Sequence, residues 1–200
     1  MMGISNAQKS AYNILTSVLG QAITIILGVV IPRLVLVNLG SENNGLLSSI
    51  TQVLGYASLL EAGVGLASLQ ALYKPVAEHD EASVNAIMSA TNLYYRRTGI
   101  AYLLTVIILS AIYPVIIISS LPYGTITIVV LISGLPGVVN YYFQGKYKIL
   151  LQAEGRTYII TNLATVIGIL TSIGKILLLL LGFGVIAVQS LYLALSLVQM

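Results

Sequence analysis

The chain has 200 residues, of which 58% are hydrophobic and 8% charged, with a mean hydropathy of +0.97. A soluble domain is excluded, because its surface would lack the charge needed to face water. With no cysteine, disulfide, thiol and cysteine–metal chemistry are excluded too, and a formal charge of +3 is too small to point to nucleic acid.

Apolar runs between charges predict about six membrane-crossing helices, near residues 11–37, 45–73, 98–118, 125–145, 157–181 and from 185 to the carboxyl end. The first follows Lys9 as an uncharged run over 10–32. It is longer than a signal-peptide core and no small-residue cleavage site follows, so it reads as a retained span. Asn13, Ser17, Gly20, Thr24 and Gly28 fall on one face of it, with Thr16 and Gln21 at the edges. Arg33 lies off that face, and Pro32 before it leaves its direction open.

In the second span Glu61 shares a face with Thr51, Ser58, Gly65 and Ser68, although Gly63 and Gly65 can shift the phase. A carboxylate at that depth needs a cation, a proton or water. It is read either as a structural partner of Lys175 or Arg33, or as a group coupled to a proton or sodium ion. In the basic connection that follows, Asp80 or Ser83 is placed to cap a helix running through 84–97 into the third span. His79 stands among Glu78, Asp80 and Glu81, and reads as solvated; no second histidine completes a metal site.

Residues 98–145 carry no charge, which is long enough for two crossings at roughly 20 residues each. The only turn-like segment within them is Ser119-Ser120-Leu121-Pro122-Tyr123-Gly124. Pro114 and Pro136, the latter within Gly134-Leu135-Pro136-Gly137, predict either packing bends or gating hinges. Residues 146–158 mix basic side chains with Ile149, Leu150 and Leu151, a pattern suited to lying against the inner leaflet.

The fifth span holds the most specific signal, Lys175, about two turns from its outer end. A lysine at the bilayer centre costs on the order of 3 kcal/mol, less near the interface. Thr157, Thr161, Ala164, Gly168, Thr171 and Lys175 recur at steps of four and three, forming one helical stripe. Ile159, Ile160, Leu163, Val166, Ile167 and Leu170 make the opposite, aliphatic face. The stripe is expected to face protein or water; snorkelling of the ammonium to the outer headgroups is the competing reading. Polar faces on several spans predict a bundle around a hydrated cavity, with close packing through small residues as the alternative.

Lys9, Lys74, Arg96, Arg97, Lys146, Lys148 and Arg156 gather at the amino end and in the second and fourth connections. The positive-inside rule therefore puts the amino terminus in the cytoplasm. Tyr12, Tyr73, Tyr94, Tyr95, Tyr123, Tyr147 and Tyr158 cluster near the expected interfaces, as amphipathic rings should. No nucleophile elbow, phosphate loop, paired carboxylates or metal spacing is present, so no enzymatic activity, cofactor or metal is expected.

Several short motifs carry a family resemblance. They are Ile31-Pro32-Arg33 through Leu39-Gly40, Asn44-Gly45-Leu46, Leu59-Leu60-Glu61-Ala62-Gly63, and Leu150-Leu151-Gln152-Ala153-Glu154-Gly155-Arg156 after the fourth span. Together they resemble the amino-terminal half of polysaccharide-biosynthesis flippases, the oligosaccharide exporters of the multidrug/oligosaccharidyl-lipid/polysaccharide superfamily. The resemblance implies an all-α integral membrane protein of the inner membrane. Residues 1–200 would form a single six-helix lobe of a two-lobed transporter, incomplete relative to the family. It implies translocation of undecaprenyl-pyrophosphate-linked oligosaccharide by alternating access. Membrane lipids, glycan-assembly proteins and a carboxyl-terminal lobe would be the partners. Under that reading Lys175 and Arg33 attract the pyrophosphate, and Glu61 balances charge or couples to an ion. A multidrug/cation antiporter of the same superfamily and a non-catalytic scaffold of a glycan-assembly complex are the alternatives. A polyprenyl-linked sugar polymerase or transferase would need large outer loops or clustered carboxylates, and the outer connections here are minimal.

Overall fold

The computed structural model describes residues 6–61 and 63–198, and the side chains from Val18 onward except those of residues 19, 60 and 62. Lys9, Tyr12, Asn13, Thr16 and Ser17 thus lie outside the described side chains, as does Ala62 of the third motif. Long apolar sequences with no water to satisfy their backbone must close their hydrogen bonds internally, and helices do this. The described chain is accordingly helical: α1 (Asn6–Ala57), α2 (Val64–Ala77), α3 (Glu81–Ile116), α4 (Tyr123–Val139), α5 (Gly145–Ala153), α6 (Thr157–Leu180) and α7 (Val185–Val198). The stretches Gly20–Ala57, Glu81–Ile116, Tyr123–Ala153 and Thr157–Leu180 are each long and apolar enough to cross a membrane. This is an all-α, multi-pass integral membrane protein.

The helices do not begin and end where charges alone would place them. The first two expected spans form one helix, broken at Gly40, whose φ of 86° and ψ of 170° lie outside helical space. Glycine reaches such a conformation without a Cβ penalty, so the chain can bend there. The second span is interrupted again. Ser58–Glu61 tightens to a 3-10 turn, and Gly63 takes a φ of 92° before α2 resumes. Asp80 caps α3, its side chain accepting from the Ser83 amide at 3.1 Å, and α3 then runs unbroken through Pro114. Pro114 and Pro136 therefore both sit inside helices, each buried.

One expectation is corrected. Residues 146–153 do not form a separate helix. Instead α4 passes through a π-helical turn, Asn140–Gln144, directly into α5, and the fourth span extends to Ala153. The physical reason is that Ile149 and Gly145 are buried, with Ile149 in a core shared with Leu72, Tyr95 and Tyr102. Ile149 thus packs against protein, on Leu72, Tyr95 and Tyr102.

Three cores hold the bundle. Leu46 and Ile50 of α1 pack with Ile126, Val129 and Val130 of α4 and Val185 of α7. Tyr95, Tyr102 and Val106 of α3 pack with Leu72 and with Tyr141 and Ile149. Val35, Leu179 and Val188 join α1, α6 and α7. At one end Glu42 ties two connections together, accepting hydrogen bonds from the Ser119 hydroxyl at 3.1 Å and from the Ser120 amide and hydroxyl at 3.1 and 2.6 Å. At the opposite end Val76, His79 and Val84 face Leu150 and Arg156 across a shared cleft.

Candidate functional site

The predicted stripe of α6 turns inward only in its upper turns, at buried Thr171 and half-buried Lys175, while Ala164 and Gly168 in its middle are exposed. Ala164, Gly168, Thr171 and Lys175 line an open cavity of about 480 Å³ whose other lining comes from α4, the π-turn and α7. Thr171 is only 7% exposed, whereas Val166, Leu170, Ile173 and Leu177 project from the bundle. One member of the expected aliphatic face departs from it: Ile167 is buried and lines the same cavity. At the lower end Thr157 is exposed and bonds only within its own helix, its carbonyl accepting from Thr161.

The Lys175 ammonium lies 4.9 Å from the centroid of the Tyr192 ring on α7. A ring face attracts a cation electrostatically, but it leaves the N–H donors free for another acceptor. Among the described residues no carboxylate pairs with Lys175; the ion pairs found are the surface pairs Lys74–Glu78 and Arg156–Glu154. Of the other polar lining, Asn140 accepts from Lys148 and Ser196 donates to the Leu193 carbonyl. Thr171, Ser172 and Gln144 make no side-chain hydrogen bond among the described residues, and they are not among the buried unpartnered atoms, which lie on Asn43 and Gln189. Polar atoms that open on a cavity in this way are available to water or a polar ligand. One cation and several hydroxyl and amide donors suit an anion with several oxygen atoms.

Glu61 occupies a neighbouring cavity of about 340 Å³ with Tyr95, Asn140 and Lys148. The break at Gly63 lets its carboxylate accept a hydrogen bond from the Tyr95 hydroxyl. Gly65 leaves the room for that contact, since a Cβ there would stand 2.8 Å from the tyrosine oxygen. Lys148 donates to the Asn140 side chain instead of forming an ion pair with Glu61. Asn140 lines both cavities, so the π-turn is their common wall.

The structure thus places the three sequence-derived candidates apart. Lys175 lines the larger cavity and Glu61 the adjoining one, while Arg33 is exposed on α1 and lines neither. The partner of Glu61 is Tyr95, not Lys175 or Arg33. Sequence reasoning missed Asn140, Gln144, Tyr192 and Lys148. The first two are polar residues four apart in an uncharged span, a signal as clear as the one read on α6. Lys148 was hidden because the fourth span was expected to end before it. No protein-family model, curated protein or solved structure matches the chain.

Proposed function

We propose that the chain is a membrane transport module whose lysine-lined cavity receives the anionic head of a lipid-linked substrate. The substrate class we favour is a polyprenyl-pyrophosphate-linked oligosaccharide, moved across the cytoplasmic membrane for surface polysaccharide synthesis. The observation that carries this reading is Lys175, uncompensated by any described carboxylate and lining a cavity with Thr171, Ser172, Asn140 and Gln144. A pyrophosphate cannot cross hydrocarbon unaided, whereas a cation and unused donors inside the bundle offset the loss of its hydration. The amino terminus and the basic connections lie on the cytoplasmic side in this reading, as the distribution of lysine and arginine favours. Full transport takes a second lobe or another partner across the cavity mouth. Arg33, exposed on α1, serves such a partner or the approach of the anion rather than the cavity itself.

A cation antiporter would require a free acidic group in a cavity, and the carboxylate of Glu61 is already engaged by Tyr95. The test is Lys175→Ala in the complete protein, in a cell that depends on it for surface polysaccharide. We expect export to fall at least tenfold at unchanged protein level, as loss of one charge-assisted contact of about 1.5–3 kcal/mol requires. Normal export would remove Lys175 from the mechanism.

A further inference from the structure

The uncharged stretch from Thr98 to Gly145 is bounded by Arg96 and Arg97 before it and by Lys146 after it. Folding brings these two boundaries together. Gly99 lies against Tyr142, Tyr102 against Gly137 and Val106 against Gly134, so α3 and α4 run antiparallel in close contact. Arg96 and Arg97 stand about one turn before the Gly99 contact, and Lys146 one turn beyond Tyr142, towards the same end. The Arg96 guanidinium lies over the Tyr142 ring, 5.2 Å from its centroid, and the Lys146 ammonium over the Tyr147 ring at 4.7 Å. Three cations therefore bound the uncharged parts of two neighbouring helices at about one depth. Arg96, Arg97, Phe143 and Tyr147 are all exposed. Among the described residues none of the three cations pairs with a carboxylate.

We infer that Arg96, Arg97 and Lys146 form a binding site for the phosphate head of an anionic phospholipid of the surrounding bilayer. This goes beyond the transport reading and does not depend on it. A ring face holds a cation in place but leaves its N–H donors for an acceptor, and a guanidinium presents two of them in the fork that fits a phosphate. The surface beside the cations says where that phosphate comes from. Arg97, Ile100, Leu104 and Ile107 follow one another at steps of three and four, one face of α3, and the three apolar members are each about half exposed. They make an apolar ledge running from the charge towards the middle of the span. A free anion would engage the cations and leave that ledge bare, whereas a phospholipid covers both. Phe143 and Tyr147 flank the cations as aromatic side chains do at the level of headgroups.

The experiment offers the full chain, purified in detergent, an equal mixture of phosphatidylglycerol and phosphatidylcholine with the same acyl chains. Bound lipid is counted by native mass spectrometry after equilibration at an ionic strength of about 0.15 M, where exposed charges are already screened. Wild type should hold phosphatidylglycerol in preference to phosphatidylcholine by about tenfold or more. Each basic residue near an anionic headgroup contributes about fivefold, so Arg96→Gln with Lys146→Gln should weaken phosphatidylglycerol binding at least tenfold and leave phosphatidylcholine unchanged. Lys74→Gln with Arg156→Gln is the control: it removes the same total charge from residues already paired with Glu78 and Glu154, and should change binding less than about twofold. Thermal unfolding checks that both double variants fold, and the wild-type preference needs no variant at all. No preference in the wild type, or an equal loss in the two double variants, would overturn the inference and leave overall charge as the cause. Displacement of phosphatidylglycerol by inorganic phosphate would overturn it too, by giving the site to a free anion.

Discussion

The same small residue does opposite things on the two sides of this bundle. Between α3 and α4, glycine permits contact. A Cβ at Gly99 would lie 2.9 Å from the Tyr142 Cβ and 3.0 Å from its backbone, and one at Gly134 would meet Val106 at 2.5 Å. Gly137 likewise receives the Tyr102 ring, and Gly145 receives the ring of Tyr95. Between α1 and α6, Gly20 still meets Thr165, but Gly28 and Gly168 leave a gap. Membrane helices associate through packing, not through a hydrophobic drive, so backbone proximity on the first side is what holds the bundle. On the second side the forgone contacts are the condition for a cavity. The titratable groups differ as well: Glu61 is bonded to Tyr95, whereas Lys175, over the Tyr192 ring of α7, has no described carboxylate partner.

That contrast is best broken by adding single methyl groups. Gly99→Ala should destabilise the protein by about 1–3 kcal/mol, because the neighbour that must yield includes backbone. Gly28→Ala should be neutral, or stabilising by up to about 1 kcal/mol, since alanine is the better helix residue and nothing obstructs it. Thermal unfolding of the purified variants in detergent compares the two directly, and equal effects would erase the distinction.

A smaller effect sharpens the comparison of the polar groups. Tyr95→Phe removes the donor to Glu61 and should cost about 1 kcal/mol, the scale of hydrogen bonds between membrane helices. Lys175→Met should act in the other direction and raise the unfolding temperature modestly, because a half-buried cation with no acidic partner is relieved. A fall instead would mean that Lys175 has a structural role.

The smallest expected change lies outside the membrane. Hydrogen bonds from Ser83, side chain and backbone, hold the Asp80 carboxyl below its ordinary range. Because its pKa is lowered by folding, the cap is fully stabilising above the unfolded value of about 3.9 and is lost as pH falls through the folded one. Asp80→Ala should therefore lower the unfolding temperature slightly at pH 7, and the difference from wild type should vanish on acidification to well below pH 4.

Much of the fold was legible because the bilayer imposes it: an uncharged run of sufficient length has few alternatives to a helix. The stripe ending in Lys175 was legible for a similar reason, since helical periodicity converts spacing into a face. A cap at Asp80 or Ser83 and the connection at 119–124 followed from local residue chemistry. Tertiary structure alone decided the rest. That Glu61 meets Tyr95, that α5 prolongs the fourth span, and that a π-turn brings Asn140 between two cavities all depend on which helices become neighbours. Periodicity says which way a side chain points along its own helix. It does not say what stands opposite, because in the membrane that is set by the fit of whole helix surfaces against one another.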